Sequence, residues 1–200
     1  MYYKKTLIAL TIILGVMITS AQAFTITKIG TVESSEYNEI MDKFYKNDVT
    51  VWAGVDPDGF KYVKFNFDGG LKDLDFGLWQ PDDTEVTSTL YGYLKWEKVL
   101  NKAIEWGEVA KTNQVDHSAD IGDCSTADIK CKARFVSISN GKTIYVVFDM
   151  EDKDNQFYTA DPVIKLVDII KMNNMFTKQV PAHWERVKNK ATKDTSDLFN

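Results

Sequence analysis

Cysteine is scarce in this 200-residue chain: Cys124 and Cys131, in the stretch "GDCSTADIKC", are the only two. Their C-x6-C spacing matches none of the common zinc patterns, which favour C-x2-C or C-x4-C pairs. His117 lies upstream and makes H-x6-C-x6-C, so a three-ligand metal site and a pair of free or redox-active thiols are the alternatives to a disulfide. Catalytic signatures are missing as well. No G-x-S-x-G nucleophile elbow occurs. The closeness of His117, Ser118 and Asp120 in "VDHSAD" carries no weight for a hydrolase triad, whose members assemble across a fold, and the stretch reads as a polar loop. Neither "DPDG" at 56–59 nor "DMEDKDNQ" at 149–156 meets the EF-hand pattern of spaced acids, a central glycine and a closing glutamate. The first reads as a turn around Asp56 and Asp58. The second reads as a solvated loop, with a loose calcium site at Asp149, Glu151, Asp152 and Asp154 as its alternative. The sequence thus specifies no cofactor, metal or catalytic residue. There is no low-complexity stretch and no repeat at a fixed period.

Positive charge is also in deficit. Twenty-four Lys and Arg face 29 Asp and Glu, for a net charge of −5. An acidic surface argues against nucleic acid and anionic membranes as partners, and it suits a cationic protein. What the N-terminus does have is a leader: Lys4 and Lys5, an apolar run from Thr6 to Ile18, and Ala21-Gln22-Ala23. A positive n-region, a short h-region and a small-x-small site make a secretory signal peptide. The apolar run falls short of the about 20 residues of a membrane anchor, and nothing after Phe24 resembles one, so no stable anchor is expected after cleavage. Cutting after Ala23 removes two lysines and no acid, which makes the mature chain more acidic still. The expected location is periplasmic or secreted. That compartment is oxidising, and it turns the cysteine question toward a Cys124–Cys131 disulfide worth about 2.5 kcal/mol for so short a loop.

The organisation expected is a signal peptide (1–23), one α+β domain (24–188) and a polar C-terminal tail (189–200). "FTITKIGTV" alternates and reads as an opening strand, and "SSEYNEIMDKF" carries Tyr37, Ile40, Met41 and Phe44 at helical spacing. Residues 49–67 read as a hairpin closed by Asp56-Pro57-Asp58-Gly59, and Leu74, Phe76 and Leu78 mark a further strand. A helix over 88–112 presents Tyr93, Trp96, Leu100, Ala103, Gly107 and Ala110 on one face, with either of its glycines suited to close packing. Asn140-Gly141 closes a second hairpin, because its turn positions favour positive φ. Asp161-Pro162 caps a helix with the stripe Val163, Leu166, Val167 and Ile170, and Pro181 opens another in which Trp184 and Val187 reach the core while His183 is exposed or partly packed. The fold class is therefore α+β: a mainly antiparallel sheet built from β-hairpins, with a long central helix and C-terminal helices packed on it.

Binding is favoured over catalysis. Trp79, leaving a strand into a loop, and Trp106, beside the main helical stripe, are the aromatics best placed for exposure, where such rings anchor sugars or proteins. With His117, Asp56 and Asp58 they form the candidate binding set, carried on the loops 113–131, 56–59 and 79–85, since scaffold-borne loops usually hold function. The expectation is a small exported, non-catalytic binding or inhibitory protein. A cell-envelope hydrolase acting on glycan or peptide and a structural subunit of an envelope assembly are the alternatives.

Overall fold

Alternating burial defines the architecture. In β2 (Lys43–Val55) the residues Val49, Val51 and Ala53 are buried, in β3 (Lys61–Phe67) Val63, Phe65 and Phe67, and in β6 (Ile129–Ile138) Ile129, Cys131, Ala133, Phe135 and Ser137. In β7 (Thr143–Asp152) the buried set is Ile144, Val146, Phe148 and Met150. A strand with every second side chain buried has one face on a core and one in water. The structure, a computed structural model, describes residues 25–38, 42–55, 59–67, 74–79, 91–126, 128–154 and 159–197. The remaining strands are β1 (Thr25–Asn38), β4 (Leu74–Trp79), β5 (His117–Asp123), β8 (Thr159–Ala160) and β9 (Val163–Lys165).

These strands form one antiparallel sheet in the order β4-β3-β2-β1-β9-β7-β6-β5, with β8 beside β7. Two meanders, β1 to β4 and β5 to β7, are joined through the short β9, which meets β1 at Ser35–Val163 and β7 at three positions. The helices α1 (Tyr91–Asn113), α2 (Leu166–Asn174) and α3 (Val180–Asp197) pack on one face. The α+β class is the one expected from the sequence.

Aromatic rings fill the space between the layers. Trp96 stacks on Phe65 at 4.9 Å and on Phe148 at 5.1 Å, while Tyr93 stacks on Phe176 at 4.1 Å and donates to the Phe176 carbonyl. Burial raises the Tyr93 phenol well above its ordinary value, with the Glu97 charge adding to the rise. Leu166 occupies the space that a side chain at Gly107 would need, so α1 and α2 cross closely there, as the glycine suggests.

Four local expectations are corrected. Where a helix is expected around Tyr37 and Phe44, those two residues instead pair directly across the antiparallel strands β1 and β2, while Ile40 and Met41 lie outside the described residues. The helix expected at Asp161-Pro162 starts at Leu166 instead. Val163, Ile164 and Lys165 hydrogen-bond into the sheet as β9, and the Pro162 carbonyl accepts from Phe148. The inward residues of α2 are therefore Leu166, Ile169 and Met172, and Val167 and Ile170 face solvent. The stretch 113–131, read as a polar loop, contains β5, whose only buried residue before Cys124 is Ile121. His183 is buried at 7% exposure, and its Nε2 has no hydrogen-bond partner among the described residues.

A π-helical turn (Met175–Gln179) links α2 to α3, with the Val180 N–H reaching back to the Met175 carbonyl. Pro181 supplies the reason. It has no N–H to give the Thr177 carbonyl, and its ring would collide with that carbonyl in a regular helix. Trp184 lies in the core as expected, and its indole N–H donates to the Gly54 carbonyl.

Candidate functional site

The turn from α1 into β5 brings two of the candidate residues together. Gln114 adopts φ +54°, and the Val115 N–H donates to the Ala110 carbonyl at 3.1 Å, the six-to-one bond of a Schellman motif. Ser137 Oγ donates to the Val115 carbonyl at 2.8 Å, and the Asn140 N–H donates to Asp116 Oδ1 at 2.6 Å. The turn is thereby tied to the β6–β7 hairpin. That hairpin is itself seated on the end of α1, because Gly141 leaves no room for a Cβ against the Ala110 carbonyl oxygen.

The result is an aromatic corner. The His117 ring lies 5.5 Å from Trp106 and 6.5 Å from Phe135, and Trp106 meets Phe135 edge-on at 5.8 Å. Lys102 holds its ammonium 4.7 Å over the Trp106 ring. Trp106 is half-buried and packs against the core, whereas His117 is exposed. An open groove lined by Leu94, Glu97, Lys98, Asn101, Lys102 and Glu105 runs along the outer side of α1 and adjoins the corner through Lys102. Fixed aromatic rings thus stand beside a charged, open groove. The hydroxyl nearest in register to His117, on Ser137, is 1% exposed and already donates its proton to the Val115 carbonyl.

The other end of β5 is held by the disulfide Cys124–Cys131, with a Cα–Cα distance of 4.8 Å and both residues buried. It closes the connection from β5 to β6. Inside the ring Cys124 N–H donates to the Cys131 carbonyl, Thr126 N–H to the Ile129 carbonyl, and Cys131 N–H to Ser125 Oγ. Asp123 accepts from Lys95 Nζ at 2.7 Å and from the Ser125 N–H at 2.9 Å, which staples this corner to α1. Partial burial pushes the Asp123 carboxyl up, but these hydrogen bonds and the Lys95 charge outweigh it and hold the group at about 2.

The remaining candidates do not join this surface. Trp79 is the last residue of β4, in register with Tyr62, and its side chain lies outside the described residues. Asp56, Asp58 and the leader 1–23 also lie outside them. The four acids weighed for calcium do not converge: Glu151 pairs with Lys130 at 3.1 Å, and Asp152 Oδ1 caps the Asp154 N–H. Among the described residues no group of three or more His, Cys, Asp or Glu is placed to hold a metal ion. No described helix is long and apolar enough to cross a membrane. Lys102 and Phe135 are the members of the corner that sequence reasoning passed over. Lys102 was legible, since a residue four before Trp106 on a helix stands beside it. No family model, curated protein or solved structure matches this chain.

Proposed function

We propose that this chain is a small exported binding protein, periplasmic or secreted, which acts without catalysis on a cationic protein partner. The Trp106–His117–Lys102 corner carries the reading. It presents an exposed imidazole and a half-buried indole on elements fixed by a capped helix end, a docked hairpin and a disulfide. Preorganised aromatic anchors lose little entropy on binding and commonly carry much of an interface's energy. The leader supports export, and the net charge of −5 supports attraction to a basic partner. The test is affinity capture from envelope extract with the wild type, Trp106→Ala and His117→Ala, at low and high salt. The expected result is a retained basic protein that either substitution releases and that salt weakens. Retention indifferent to both substitutions and to salt refutes the reading. Export is tested by fractionation and intact mass, with a mature chain beginning at Phe24 as the expected product.

A further inference from the structure

The β1–β2 hairpin runs past the rest of the sheet. Among the described residues β3 pairs with β2 only over Val49–Val55 and β9 meets β1 only at Ser35, yet the β1–β2 pairing continues to Asn38–Lys43. The end of the hairpin is thus a two-stranded arm, an arrangement that is marginal in water without further support. Its side chains are not those of a solvated ribbon. Phe44 is 61% exposed, Tyr37 44% and Tyr45 37%. Tyr37 and Phe44 face each other across the strands with ring centroids 5.2 Å apart, and the Lys43 ammonium sits 5.2 Å from the centre of the Tyr45 ring.

The charges of the arm are lopsided. Its described acids are Glu33, Glu36, Asp42 and Asp48, against Lys43 and Lys46. Glu33 and Asp48 stand directly opposite each other, a cross-strand pairing of like charges that costs stability. Neither makes an ion pair among the described residues. Glu36 lies close enough to Asp161 for the two carboxylates to repel. Burial raises the Glu36 carboxyl above its ordinary range, and the Asp161 charge adds to the rise against hydrogen bonds from the Asp161 backbone and Asn47.

We infer that the β1–β2 arm is a docking element for the cationic protein partner, with Tyr37 and Phe44 as its apolar anchors and, on the same face, Glu33 and Asp48 as the pair that takes a basic side chain. A lysine or arginine between the opposed carboxylates relieves their repulsion, and the ring faces accept a cation as Tyr45 already does from Lys43. The same charge disfavours the other occupants. A second copy brings an identical acidic arm, and an anionic lipid surface is repelled.

This inference rests on the reading of the chain as a binding protein for a basic partner, and the experiment separates the two. A photo-crosslinking phenylalanine analogue is placed at position 44, at position 117 and, as an exposed control on α2, at position 167, in the full exported chain. Adducts are identified by mass spectrometry, and the captured protein is purified and titrated. The expected result is a basic protein crosslinked at 44 and not at 167. Its affinity should fall about tenfold or more with Phe44→Ala, and its salt dependence should flatten with Glu33→Gln combined with Asp48→Asn. Unchanged circular dichroism in both variants, with a thermal midpoint that does not fall and that rises where the opposed carboxylates are neutralised, shows that the loss lies in the contact. An adduct at 117 with none at 44 overturns the arm and leaves the binding reading standing. An adduct at 44 with a second copy, a lipid or an acidic protein overturns the partner assignment. No adduct at either site overturns both.

Discussion

Replacing Gly141 by alanine tests the joint on which the aromatic corner depends. Gly141 has φ +73°, in the left-handed region that costs an L-residue with a side chain about 1–2 kcal/mol. A Cβ there would also lie 2.2 Å from the Ala110 carbonyl oxygen and 2.8 Å from its carbon. Both are backbone atoms of α1 and cannot swing aside as a side chain does, so either the hairpin or the helix end must shift. Overpacking of this kind costs about 1–3 kcal/mol, and the stiffer unfolded chain of the alanine variant returns up to about 1 kcal/mol. The net expectation is a loss of about 1–4 kcal/mol. Gly59 is the control, since it has φ +88° and, among the described residues, nothing within 4 Å of an added Cβ. Gly59→Ala carries only the conformational part, about 1 kcal/mol or less after the same offset. Urea denaturation followed by tryptophan fluorescence compares the two, because Trp96 and Trp184 are buried and report global unfolding. Equal losses for the two variants would refute the claim that the turn is seated on α1.

Other consequences can be measured in the same protein. Non-reducing peptide mapping should recover a Cys124–Cys131 linkage, and Cys124→Ala with Cys131→Ala should cost about 2.5 kcal/mol in denaturant titrations. Burial, with the Arg186 charge, holds His183 below its ordinary 6.5, so the neutral form is favoured in the fold. The stability this provides is complete above pH 6.5 and drains away on acidification toward the lower folded value, and His183→Gln should remove that part of the pH dependence of the thermal midpoint. The Asp123 carboxyl, held at about 2, contributes stability above its ordinary 3.8 that disappears as pH falls through about 2. Lys95→Met should raise its titration midpoint in carboxyl-detected NMR, and a midpoint unmoved by that change would remove the staple from the account.

The legible parts of the fold are those whose signal is local. The stripe of α1 names its buried face correctly from Tyr93 to Ala110, because helical spacing and burial coincide there. Asn140-Gly141 marks its hairpin, although the pairing stops at Ile138–Thr143, and Ser139, Asn140 and Gly141 all take positive φ, a wider turn than the dipeptide implies. The disulfide was readable only with the leader in view, since the spacing alone left metal and thiol alternatives open. The arm misled for a physical reason: Tyr37 and Phe44 fit one face of a short helix as well as they fit opposite strands. β9 was hidden because its pairing partners are on β7 and β1, and tertiary pairing overrode a good local cap. β5 was hidden because it stands at the end of the described sheet, where most of its side chains face water and carry no alternation. Of the candidate surface, Trp106 and His117 were nameable singly. Their contact depends on the Schellman turn and on hairpin bonds made by residues about twenty positions further along.

The join at β9 bears on the timing of folding. Each meander is made of neighbours in sequence and can zip up as it emerges, but Ser35 finds Val163 only when most of the chain has appeared. Until then the outer edge of β1 offers unpaired N–H and C=O groups to any passing strand. A chain delivered from its N-terminus therefore carries an open template through nearly the whole of its emergence. Val163, which meets that edge at Ser35, leads through Ile164 and Lys165 directly into the helix that then locks the joint. Weakening β9 should accordingly show first as aggregation of newly made protein, before any loss appears in the folded state.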